Sequence, residues 1–152
     1  MISDRNFSSY ALSVFLKEND NAFTMPLSES LKKQGMTVDE YAEKLSNKAT
    51  IAYEKEDSGV ILGAVIGYTH DLPEDGSSYI TQVVTDKKYR GRGIFKLLIK
   101  EYLDFCIQKN ISYVWLTTGV NNTIAQKAYE SVGFKLADNN GKSVKYIYTI
   151  ER

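Results

Sequence analysis

A chain of 152 residues, 43% hydrophobic and 25% charged, has the size and composition of one globular domain able to bury its own core, which excludes a disordered or fibrous chain. Lys and Arg together number 19, as do Asp and Glu, so the positive field that drives non-specific nucleic-acid binding is missing. Cys106 is the single cysteine, which rules out an internal disulfide, and no Cys/His cluster has metal-ligand spacing.

Met1 to Asn6 show no basic stretch leading into an apolar one, and no apolar run approaches the ~18 residues of a membrane span. A cytoplasmic chain with neither membrane nor nucleic-acid partner is therefore expected. Phe7, Tyr10, Ala11, Val14 and Phe15 recur at helical spacing and predict a first amphipathic helix. Asn19 to Gly35 reads as polar and irregular. Thr37 stands three residues before Glu40, a capping box, and Val38, Tyr41, Ala42 and Leu45 then make one helix face. Thr50 to Tyr53 and Val60 to Tyr68 flank a turn ending in Gly59 and predict a hairpin. A further strand, Tyr79 to Thr85, follows the turn Pro73-Glu74-Asp75-Gly76.

The period then changes. Leu97, Leu98, Tyr102, Phe105 and Cys106 track one face of a helix running from Ile94 to near Asn110. Ser112 to Thr118 reads as a strand, Thr123 to Val132 as a helix stopped by Gly133, and two last strands flank Asp138-Asn139-Asn140-Gly141. The strand-helix-strand unit in the middle implies two parallel neighbours in an otherwise antiparallel series. The expected fold is α/β of the α+β kind: a central mixed, mostly antiparallel sheet with helices on both faces.

Between the strand ending at Thr85 and the helix near Gly93 lies Tyr89-Arg90-Gly91-Arg92-Gly93-Ile94. Two glycines let a ligand approach the backbone, the first-turn N–H groups and the helix dipole favour an anion, and Arg90 and Arg92 add charge. The same residues also read as an exposed basic turn. A dinucleotide fingerprint would need a third glycine where Lys96 stands, and a Walker loop ending in Gly141-Lys142-Ser143 would need a glycine at Leu136. Both fail.

This loop resembles that of the GNAT superfamily of CoA-dependent N-acyltransferases, which runs Arg or Gln, two residues, Gly, one residue, then Gly or Ala. Arg90, Gly93 and Phe95 stand at those positions, Phe95 departing from the small residue. Asn122-Thr123-Ile124-Ala125-Gln126-Lys127-Ala128-Tyr129-Glu130-Ser131-Val132-Gly133-Phe134 is similar to the family's Asn, two residues, Ala, three residues, Tyr, three residues, Gly-Phe. The match covers residues 78–136. It implies that 1–152 form one N-acetyltransferase domain, with 78–136 as the acetyl-CoA-binding core and 1–50 as acceptor-side helices.

The resemblance also implies roles. Arg90, Gly91, Arg92, Gly93, Ile94 and Phe95 would hold the CoA pyrophosphate through loop N–H groups. Asn122 would contact the pantetheine region, Ala125 would also belong to the cofactor-binding set, and Tyr129 would face the thioester sulfur as the general acid. Val83 and Val84, beside Gln82, would supply main-chain contacts to thioester and pantetheine. Each has a plainer reading: Asn122 as a helix cap, Tyr129 as core packing. The base that deprotonates the amine stays open among His70, Asp71, Tyr79 and water, while Cys106 reads as a buried, inert thiol.

Phe23-Thr24-Met25-Pro26-Leu27-Ser28 and Tyr41-Ala42-Glu43-Lys44-Leu45 resemble the amino-terminal part of GNAT proteins found with surface-polysaccharide synthesis. Transfer of an acetyl group from acetyl-CoA, as cosubstrate, to a small-molecule amine such as an amino sugar is the expected activity. A catalytically silent CoA-binding module, acetylation of a protein or peptide amine, and an RNA-binding use of Arg-Gly-Arg-Gly are the alternatives. The oligomeric state, a homodimer included, is not fixed by the sequence.

Overall fold

The computed structural model describes residues 1–23, 25–70 and 76–151. Its strands are β1 (Ile2–Asp4), β2 (Thr50–Lys55), β3 (Ile61–Tyr68), β4 (Ser77–Thr85), β5 (Tyr113–Gly119), β6 (Lys135–Asn139) and β7 (Ser143–Thr149). Its α-helices are α1 (Ser9–Glu18), α2 (Leu27–Lys33), α3 (Val38–Lys48), α4 (Ile94–Gln108) and α5 (Thr123–Ser131). The strands form one seven-stranded sheet in the order β1-β2-β3-β4-β5-β7-β6. Only β4 and β5, linked through α4, pair in parallel; the other neighbours are antiparallel.

Strand alternation divides the core into two layers. Ile51, Ala64 and Ile66 pack with Leu12, Phe15, Leu16 and Leu45 from α1 and α3, whereas Ala52 and Val65, the intervening residues, pack with Leu98, Ile99 and Tyr102 of α4 and with Tyr129 of α5. Helices therefore cover both faces, as expected from the sequence. The capping box is present: Glu40 N–H donates to the Thr37 hydroxyl and Thr37 N–H to the Glu40 carboxylate, each at 3.1 Å.

Three sequence expectations are corrected. The buried stripe of α1 is Leu12, Phe15 and Leu16, while Tyr10 is 80% exposed. Both stripes are apolar, and packing against α3 selects the one carrying two leucines. Within Asn19 to Gly35, Asp20–Ala22 forms one 3₁₀ turn, and α2 buries Leu27 and Leu31, a pair four residues apart in a helix too short to show a period. On α4, Leu97 is exposed and Ile99 and Leu103 share the buried face with Leu98, Tyr102 and Cys106.

α4 lies close against β3. A Cβ added to Gly67 would overlap the Tyr102 hydroxyl and come within 2.6 Å of the Tyr79 carbonyl oxygen. The Tyr102 hydroxyl is itself 2.8 Å from the Ser78 hydroxyl. At this point β4 is bulged: Ile66 pairs with Gln82 and Gly67 with Ile80, leaving Thr81 as the extra residue.

Candidate active site

The bulge marks the place where the sheet opens. β4 pairs with β5 only from Ser77–Tyr113 to Tyr79–Trp115, so the carboxyl-terminal part of β4 has no strand on that side among the described residues. The Asp86 N–H bonds the Leu62 carbonyl of the β3 side at 2.9 Å. Antiparallel alternation then commits the main-chain groups of Val84 to its partner Ala64 and turns those of Val83 and Thr85 toward the gap. Consistent with this direction, the Thr85 carbonyl accepts from Arg90 Nε at 3.3 Å. The Val84 side chain is buried on the α1–α3 layer, and the main-chain groups that face the gap are those of Val83 and Thr85 rather than of Val84.

A 3₁₀ turn, Lys87–Tyr89, leads from β4 into the loop. Asp86 is nearly buried and holds this turn, accepting from Lys88 N–H at 3.0 Å and from Asn19 Nδ2 at 3.3 Å. Gly91 and Gly93 both adopt left-handed backbone, with φ of +79° and +76°. Gly93 caps α4 without any side chain of its own, and a Cβ built on it would meet nothing within 4 Å. The first-turn N–H groups of α4 have no intrahelical acceptor and face open space, a ready anion site.

α5 closes the other wall. Asn122 caps it, its Oδ1 accepting from Ala125 N–H at 3.2 Å while its Nδ2 donates to the Thr118 hydroxyl at 3.3 Å. The capping reading of Asn122 thus holds together with its place on the cleft. Two turns further, Tyr129 is 8% exposed, with its ring between Phe95 at 5.7 Å and Phe134 at 5.9 Å between centroids. No described side chain hydrogen-bonds its hydroxyl, and burial pushes the phenol up to about 12. Phe95, the departure in the loop pattern, packs on Tyr129 rather than filling the loop.

These walls enclose a cleft of about 630 Å³. Val83, Val84, Arg90, Gly91, Gly93, Ile94, Phe95, Asn122, Ala125 and Tyr129 all line it. Arg92 does not: its guanidinium lies over the Tyr89 ring, 5.3 Å from the centroid, and Tyr89 in turn donates to Glu56. Thr85, Tyr89, Ile124 and Ala128 line the cleft without having been singled out in the sequence. Ile124 and Ala128 were readable, since they share the α5 face with Ala125 and Tyr129.

None of the described candidate bases lines the cleft. His70 Nε2 sits 2.8 Å from Asp4 at the edge of the sheet, and Tyr79 stacks on Trp115 with centroids 4.3 Å apart. Asp71 and the turn Pro73-Glu74-Asp75 lie outside the described residues, as does Thr24. Cys106 is fully buried, and burial pushes its thiol up to about 12, which removes the thiolate a nucleophile needs. No helix among the described residues is long and apolar enough to cross a membrane.

Known proteins share this fold. An acetyltransferase of the GNAT family from Staphylococcus aureus Mu50 superposes with a TM-score of 0.74 over 99% of this chain and 100% of its own, at 17% identity. A GNAT family acetyltransferase from Elizabethkingia anophelis, solved with acetyl-CoA bound, gives a TM-score of 0.61 over 73% of this chain and 82% of its own, also at 17% identity. In sequence, human N-acetylaspartate synthetase is 35% identical over 77 residues, 51% of this chain but only 25% of that protein. The profile of the acetyltransferase (GNAT) family matches residues 15–134, and the chain belongs to that family.

Proposed function

We propose that the chain transfers an acetyl group from acetyl-CoA to a primary amine by direct attack within a ternary complex. The observation that carries this reading is the opening between β4 and β5, where free main-chain groups, an anion-binding loop and a protonated phenol meet in one cleft. Residues 78–136 hold acetyl-CoA, and residues 1–50 form much of the acceptor side. The first-turn N–H groups of α4, with Gly91, Gly93 and Arg90, bind the pyrophosphate. Val83 and Thr85 pair with the pantetheine arm, and the Val83 N–H polarises the thioester carbonyl.

The neutral amine forms a bond to the carbonyl carbon, and the carbon–sulfur bond breaks. Tyr129 gives its proton to the departing thiolate and is reprotonated from solvent. The proton lost by the amine goes to water, since no carboxylate or imidazole among the described residues lines the cleft. A small amine is the acceptor, with an amino sugar as the first reading. The likeness to N-acetylaspartate synthetase favours an amino acid as the second. Acetyl-CoA is an intracellular metabolite, which supports a cytoplasmic setting for this reading.

The test is calorimetry and thermal melting with acetyl-CoA, followed by thiol release against a panel of amines, amino sugars and amino acids. Acetyl-CoA should raise the melting temperature by mass action, with NAD and ATP doing much less. No shift and no heat at millimolar acetyl-CoA would sink the assignment. Binding without turnover on any amine would leave a silent CoA-binding module.

A further inference from the structure

A second pocket, of about 400 Å³, lies further back along β4 on the α2–α3 side. Thr81 and Gln82 of the bulge line it and lead directly into Val83 of the cleft, so on the acetyl-transfer reading a ligand seated there would lie next to the thioester. Leu27 gives it an apolar wall, and Tyr41, Tyr68 and Gln82 give it a polar one, with Gln82 Nε2 donating to the Tyr41 hydroxyl at 3.1 Å. Burial holds both phenols above their ordinary range, Tyr68 at about 12, so they add hydrogen-bonding groups without negative charge.

Among the described residues, no carboxylate or imidazole lines this pocket, and Lys44 is the one charged side chain that does. Lys44 makes no ion pair among the described residues. Glu40, one helical turn before it and the natural partner on α3, is turned back to the capping box. A primary amine in water is a cation. The free ammonium of Lys44 repels a second positive charge on the acceptor, which disfavours polyamines and multiply charged aminoglycosides. It attracts an acceptor whose far end is an acid.

We propose that the acceptor amine carries an acidic group, a carboxylate or a phosphate, and that Lys44 is the specificity residue that binds it. This rests on the acetyl-transfer reading for the identity of the pocket as an acceptor site. It does not depend on turnover for its test. The acid anchors at Lys44 on the rim while the amine reaches past Gln82 toward the thioester.

The test uses the purified chain and reads binding first. L-aspartate and an amino-sugar phosphate are titrated by calorimetry in the presence of CoA, beside aspartate diamide and the parent amino sugar, which keep the amine but mask or lack the acid. At least one acid should bind about 10-fold more tightly than its uncharged counterpart, and which one binds separates carboxylate from phosphate. Lys44→Met should erase that preference, Lys44→Arg should keep it to within about threefold, and added salt should weaken wild type but not Lys44→Met.

Lys142, which lines a neighbouring hollow with Phe23 and Asn122, is the control. Lys142→Met should leave the preference intact. In turnover, the Lys44→Met loss should fall on KM, with kcat and melting temperature retained. Equal binding of acid and masked forms, no binding of either acid, a preference that survives Lys44→Met, or one that follows Lys142 would each overturn the proposal. Failure of acetyl-CoA to bind, or of any amine to be acetylated, strikes the acetyl-transfer reading instead and leaves the binding arm to decide Lys44.

Discussion

Tyr129 packs between two aromatic rings and is the proposed acid, and the two roles can be separated. Tyr129→Phe keeps the ring between Phe95 and Phe134 and removes only the transferable proton. It should lower kcat by roughly 10-fold to 1000-fold with acetyl-CoA affinity and melting temperature nearly unchanged. Steady-state turnover within about twofold of wild type, for an acceptor whose chemical step is limiting, would return Tyr129 to the core alone. Because its phenol is held up to about 12, the pH profile should rise as the acceptor amine loses its proton and show no falling limb through the mildly alkaline range. Gly93 makes a second separation. Gly93→Val places a side chain in open cleft space at a φ of +76° and should weaken CoA by about 10-fold or more, well beyond its effect on the fold. Equal CoA affinity in the folded variant removes the pyrophosphate from that loop.

At the level of elements, β3 and α4 touch where only glycine fits. Gly67→Ala must displace either the buried Tyr102 ring or the Tyr79 carbonyl and should cost about 1–3 kcal/mol in denaturant unfolding, the usual range for overpacking. An unchanged unfolding midpoint would show that α4 can shift. The sequence was most informative where chemistry lies along one contiguous element. Asn122, Ala125, Tyr129 and Gly133 stand on a single short helix with its stop, so spacing alone orders them. It was least informative where placement depends on distant pairing. The turn of Thr85 toward the gap follows from the register with β3, and Arg92 leaves the cleft because Tyr89 offers it a ring. His70 is drawn to Asp4, 66 residues away, and nothing local announces that partner. The three-residue β1 and the seven-residue α2 are too short for a period to declare them.

For the whole molecule, the same buried groups set its behaviour in alkali. Tyr129 and Cys106 hold their protons to about 12, against ordinary values of 10.0 and 9.0. A group raised on folding contributes stability that is fully present below its unfolded value and is lost as pH climbs to its folded one. The unfolding midpoint should therefore fall between about pH 9 and 12, and Cys106→Ala should soften the onset of that fall. A flat midpoint across this window contradicts the burial of both groups. The opening between β4 and β5 has a consequence of a different kind. Three residue pairs, Ser77–Tyr113 to Tyr79–Trp115, join the two halves of the sheet there, and an interior strand behaves beyond them as an edge. The amide hydrogens of Val83 and Thr85 should exchange with deuterated solvent quickly in the free protein while that of Val84, bonded across to β3, stays slow. On the proposed reading, a bound pantetheine arm should act as the missing eighth strand, closing the sheet and slowing Val83 and Thr85 toward the rate of their neighbour.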